Sequence, residues 1–152
     1  MEINIIRGQN QIGGSIIEIS SKSTKIILDI GSNLEDKEIV VPEIDGLFKG
    51  EAKYDGVLIS HYHSDHVGLA TKILSSIPIY MGEKSYQIHK VSNEYIGKEY
   101  LKEPKTFKAE EDFFCRRYKN YTLSLWPFSL WCLYVIVGLW GEKDIIYRWF
   151  SF

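Results

Sequence analysis

His61-Tyr62-His63-Ser64-Asp65-His66 is the stretch on which the reading of this chain turns. It packs four metal-capable side chains together, and imidazole and carboxylate are both ligands for a borderline cation such as zinc. Three of the chain's four histidines lie in it. In an extended segment, residues two apart point to the same side, so His61 and His63 can grip one ion. Asp65 and His66 follow at once and can turn towards a second. Ahead of them, residues 54–60 read as a short buried strand that ends at the site. Behind them, Val67-Gly68-Leu69-Ala70 opens a helical pattern. Ligands between the C-terminal end of a strand and a helix sit where α/β sheets place their chemistry. The plain alternative is a histidine-rich surface loop without a role. The concentration of histidine at one strand end speaks against it.

Upstream, Glu2-Ile3-Asn4-Ile5-Ile6 and Ser15-Ile16-Ile17-Glu18-Ile19 read as strands around a turn at Gly13-Gly14. Lys25-Ile26-Ile27-Leu28-Asp29-Ile30 is a third, largely buried strand ended by Gly31. Segments at this spacing favour a meander over βαβ units. Asp29 is the one charge in that apolar run. It accepts hydrogen bonds from loop amides, or it stands behind the metal loop and orients the ligands. Downstream, the apolar stripe from Val67 to Ser76 predicts a helix. Pro78–Met81 is a strand, and residues 84–93 are a helix that carries His89. Residues 94–108 read as a solvated helix or loop.

The chain has 152 residues, one domain by the usual prior. At that length about two-thirds of its surface can be buried. A net charge of −2 gives no general attraction to nucleic acid. The two cysteines, Cys115 and Cys132, provide no disulfide framework, and from the polar start at Met1-Glu2 no signal peptide is expected. A cytoplasmic location is expected.

HYHSDH at 61–66, KIILDIG at 25–31 and GGSIIEI at 13–19 together resemble the metallo-β-lactamase superfamily, whose HxHxDH motif is long and specific. The resemblance covers about the first 114 residues. It implies an α+β fold, the metallo-β-lactamase-like αββα sandwich, incomplete here as its N-terminal half. It also implies two zinc ions sharing a hydroxide. His61 and His63 would then hold the first ion, and Asp65 and His66 the second. Asp65 would also position or take up a proton, which makes it the candidate catalytic residue. Asp29 would act behind them as an acceptor. The complete family site has a further histidine on the first ion, and a bridging aspartate and another histidine on the second. After His66 the sequence offers only His89, which is badly placed and reads as an ordinary surface or packing histidine. Four ligands then serve two ions, so weak binding and negligible hydrolysis are expected of the chain as written. In texture the segment is most similar to the β-CASP and ribonuclease J-like nuclease branch, which implies RNA or another phosphodiester as substrate. A full nuclease also needs a basic track for its strand, and this chain has none.

From about Cys115 the composition changes and the resemblance stops. All four tryptophans lie beyond that point, and Tyr121–Trp140 carries no charge. The segment 121–140 is long enough for a bilayer, but Pro127 and its Tyr, Ser, Thr and Trp dilute it, and no membrane is expected. Residues 115–152 read instead as an aberrant, frameshifted tail. Cys115–Thr122 can be back-translated so that a one-base shift reads V-G-D-I-K-I-T. With tryptophan written as TGA, Trp126–Val135 shifts to a string containing D-H-S, and Asp144–Phe152 to one containing T-G-D. These resemble the family's next two motifs in order. Three readings follow for the chain: a metal-dependent hydrolase of nuclease type, a non-catalytic half-domain, and a tail-anchored membrane protein.

Overall fold

The structure is a computed structural model that describes residues 2–21 and 24–108, and beyond them the strands at 113–115, 118–124, 134–137 and 145–147. Strands β1 (Glu2–Arg7), β2 (Ile16–Ser20) and β3 (Lys25–Leu28) form an antiparallel meander. Strands β4 (Gly56–Ile59), β5 (Ile79–Gly82) and β6 (Lys105–Phe107) extend it in parallel, in the order β1-β2-β3-β4-β5-β6. The runs Ile26-Ile27-Leu28 and Val57-Leu58-Ile59 are apolar at every position, as strands buried on both faces are.

Register explains where each face goes. Ile27 pairs with Val57, and Ile59 with Met81. These four pack with Val67, Leu69 and their neighbours into the main core. Leu28, Leu58 and Tyr80 align on the opposite face and are buried as well. The sheet is therefore apolar on both sides, which is what an inner layer of a sandwich requires. Among the described residues helices are few: α1 (Ser64–Val67), a 3-10 turn at Ala70–Lys72, and α2 (Glu83–Tyr95). The result is a mixed α+β fold.

Strands β3 to β6 run in the same direction, so their C-terminal ends share one edge. Asp29 follows β3 there, and the stretch 60–66 follows β4.

Two expectations need correction. The stripe from Val67 to Ser76 is not a continuous helix. After one turn of α1, Leu69 N donates to Ile30 O at 2.9 Å and Leu74 N to Leu47 O at 2.9 Å. Bonds to distant segments replace the helical ladder there, while the stripe still faces the core. Residues 94–108 are not all helix or loop either: Lys105–Phe107 adds the strand β6 alongside β5.

A second sheet has the order β10-β9-β8-β7, from β7 (Phe113–Cys115), β8 (Tyr118–Ser124), β9 (Tyr134–Val137) and β10 (Ile145–Tyr147). Within 121–140, Tyr121–Ser124 pairs antiparallel with Tyr134–Val137. Among the described residues no helix is long and apolar enough to cross a membrane. Pro127, Cys132 and all four tryptophans lie outside the described residues.

Candidate metal centre

The site is built where three loops meet at the C-terminal edge of the sheet. Asp29 leaves β3 with a left-handed backbone, φ 58°. Aspartate tolerates this better than most residues because its short side chain bonds locally. Its amide donates to Leu58 O at 2.9 Å, which ties it to β4. The segment around Ile30 then clamps the loop that follows β4. Ile30 N donates to His66 O at 2.7 Å, and Ser32 N to Ser64 O at 2.9 Å. Ser15 N donates to Asp65 O at 3.3 Å, and Gly31 N to Ser15 O at 3.0 Å. The backbones of the 13–19 and 25–31 segments thus hold the histidine loop in place.

Behind the loop lies a buried polar core. Asp29 has no solvent exposure. Its Oδ1 accepts from Ser60 N at 2.8 Å, and its Oδ2 from Ser60 Oγ at 2.9 Å and from His66 Nδ1 at 2.8 Å. A buried carboxylate with three such donors is satisfied, which is what permits a charge this deep. Ser60 Oγ also lies 3.0 Å from His61 Nδ1. The Tyr62 ring packs partly into the core and edge-on to both His61 and His63, flanking them.

The donors come in two pairs. His61 Nε2 and His63 Nδ1 are 3.1 Å apart, and His66 Nε2 and Asp65 Oδ2 are 3.2 Å apart. The rings of His61 and His66 are 4.1 Å apart between centroids, so the pairs are neighbours. His61 and His66 are buried, whereas Asp65 is partly open and His63 is exposed. Burial, with the adjacent His66, pushes the His61 pKa down to about 4. For His66, burial opposes the charge, but the hydrogen bond and negative charge of Asp29, with Asp65, outweigh it and raise the pKa.

These separations suit metal chelation. Two donors held about 2.1 Å from a tetrahedral zinc ion lie roughly 3.4 Å apart, within a few tenths of an ångström of both observed values. The donor chemistry, imidazole and carboxylate, fits the same ion. Among the described residues no three His, Cys, Asp or Glu side chains are grouped as a metal site. Each pair offers two donors. His89 adds nothing to it: it is buried on α2, bonded to Asn93 and to the amide of Leu101, 3.3 Å from its Nε2.

No family model matches the chain. The metallo-β-lactamase fold protein YhfI from Bacillus subtilis superposes with a TM-score of 0.60 at 15% identity, over 95% of this chain and 59% of that one. This chain has the metallo-β-lactamase fold. Among curated proteins, ribonuclease J of Helicobacter pylori is 25% identical over 87 residues, 53% of this chain and 13% of that protein. An RNase J-like protein of Methanocaldococcus jannaschii is 33% identical over 82 residues, 54% of this chain and 16% of that protein. The metallo-β-lactamase segment here thus spans a small part of the length of these nuclease relatives.

The sequence reading left out Ser60, which touches Asp29, His61 and His66 alike. Its signal was its place between the last residue of the buried strand and the first histidine. Ser32, whose hydroxyl donates to Ser64 O at 3.0 Å, had no signal at all.

Proposed function

We propose that this chain is part of a di-zinc hydrolase of nuclease type, acting on RNA or another phosphodiester. The observation that carries the proposal is the pair of donor separations, His61 Nε2 to His63 Nδ1 and His66 Nε2 to Asp65 Oδ2, side by side at the C-terminal edge of the parallel strands. His61 and His63 would hold one ion, and Asp65 and His66 the other. Zinc in such a position supplies a hydroxide at neutral pH and polarises the bond under attack. The chain's own residues do the rest. Asp29 fixes the His66 ring through its Nδ1, Ser60 is bonded to the same carboxylate, and the loop bonds of Ile30 and Ser32 set the backbone. Asp65, the more open carboxylate, is the group placed to hold or move a proton. RNA is preferred among phosphodiesters because the curated relatives are named as ribonucleases.

The ligand set is incomplete in the chain as written, and we take residues from about Cys115 onward as a frameshift product of the family's next segment. The abrupt loss of resemblance and the confinement of tryptophan to that part support this.

Zinc content and RNA cleavage test the reading. The 152-residue chain should bind zinc weakly and turn over negligibly. The chain with its frame restored should hold two ions and cleave RNA in a chelator-sensitive way, with loss on His63→Ala. Zinc held by the restored chain without any turnover would mean a non-catalytic half-domain. No zinc binding by either chain would overturn the proposal.

A further inference from the structure

We propose that Ser60 is a positioning residue that relays the Asp29 carboxylate to His61, so that one buried aspartate sets the ring state of a ligand in each donor pair. The inference rests on the metal-site reading above and adds a residue to it.

The geometry leaves Ser60 one consistent arrangement. Its hydroxyl is 2.9 Å from Asp29 Oδ2, and an ionised carboxylate only accepts, so the hydroxyl proton points there. The oxygen then has lone pairs for His61 Nδ1, at 3.0 Å, while His66 Nδ1, 3.5 Å away, lies nearer to Asp29. For that contact to be a hydrogen bond, His61 must carry its proton on Nδ1. Its Nε2 lone pair then lies on the side of His63 Nδ1, 3.1 Å away, where the first ion would sit. His66 reaches the same state directly, since its Nδ1 lies 2.8 Å from the same Asp29 oxygen and can only donate to it. Its Nε2 is left on the side of Asp65. A ligand imidazole needs this outer partner to hold both its proton and its orientation. Ser60 is buried with 5% exposure, so water does not readily replace its hydroxyl. Asp29 is out of direct reach of His61 in the hydrogen bonds it makes, and the serine bridges that gap.

The side-chain nitrogens of the metal-free 152-residue chain report this by 15N NMR. At a pH above the raised pKa of His66, where both rings are neutral, His61 and His66 should both show the Nδ1–H form. In Ser60→Ala, His66 should keep it, while His61 should shift towards the Nε2–H form that an isolated neutral histidine side chain prefers. Zinc binding, read by competition with a chromophoric chelator, should weaken about 10–100-fold in Ser60→Ala and recover in Ser60→Thr, which restores a hydroxyl. A wild-type His61 with its proton on Nε2 overturns the relay without any variant. So does a folded Ser60→Ala chain with unchanged His61 signals and unchanged zinc affinity. Failure of the metal-site reading looks different: wild type would show the predicted ring states and bind no zinc.

Discussion

Gly31 lies against the backbone of Asp65 so closely that a Cβ on Gly31 would fall 1.6 Å from the Asp65 carbonyl oxygen and 2.2 Å from its carbon. Both obstacles are main-chain atoms, so no side chain can swing aside. Gly31→Ala must displace the very loop that carries Asp65 and His66. Overpacking of this kind costs about 1–3 kcal/mol, and here it falls on the loop of the proposed ligands. Urea unfolding should show that loss, and zinc affinity should fall with it. A Gly31→Ala chain with wild-type stability and zinc binding would mean that the loop is not held as described.

Asp29→Asn separates charge from shape. Asparagine tolerates the left-handed backbone at this position, so the turn should survive. The amide cannot accept at both ends, and at least one of the three donors from Ser60 and His66 loses its acceptor. An unsatisfied buried group costs about 1–3 kcal/mol, and loss of a ligand's outer partner lowers metal affinity about 10–100-fold. Chemical denaturation and chelator competition measure the two effects separately. Equal zinc binding in Asp29→Asn would remove Asp29 from the site.

Much of this was legible in the sequence, and the reasons differ from residue to residue. The clustering of the histidine stretch was legible because its side chains are local in sequence, with spacing alone bringing His61 to His63. Asp29 stood out as a charge in an apolar strand. The first three strands alternate with turns, so the meander could be read. Ser60 had only its place between strand and histidine as a signal, and a serine there is ordinary until Asp29 is known to face it. Strand β6 is three residues with only Phe107 buried, too short for any period. The helix expected over 67–76 failed because periodicity reports which side chains face the core. It does not report that Leu69 and Leu74 bond to Ile30 and Leu47 instead of to their own turn.

His89 gives a pH dependence that is independent of the metal loop. It is buried on α2, burial lowers its pKa, and its Nε2 accepts the Leu101 amide. Below the ordinary histidine pKa of about 6.5, the unfolded chain takes up a proton that the folded chain resists. This contribution is therefore present at neutral pH and is lost as the pH falls. The melting temperature should drop on acidification more steeply in wild type than in His89→Gln, the two curves converging towards acid pH. Parallel curves across that range would show that His89 does not titrate with unfolding.

The tail makes the last prediction, and nucleotides decide it. Tryptophan occurs only beyond Cys115, and Tyr121–Trp140 has no charge, in a chain otherwise rich in both signs. A core selected for this fold would not be expected to change composition so abruptly, since natural sequences agree with their fold at every level. If tryptophan is encoded by TGA, each one can span an acid- or glycine-encoding codon in the neighbouring frame. Reading one base later after Phe114 should give D-H-S and then T-G-D, supplying a histidine for the His61–His63 pair and an aspartate between the two pairs. The restored chain should then bind two zinc ions more tightly than the 152-residue chain, with the gain lost on His63→Ala. A gene whose shifted frame lacks both strings would refute the frameshift. The strands at Tyr118–Ser124, Tyr134–Val137 and Ile145–Tyr147 would then have to be explained by the sequence as it stands.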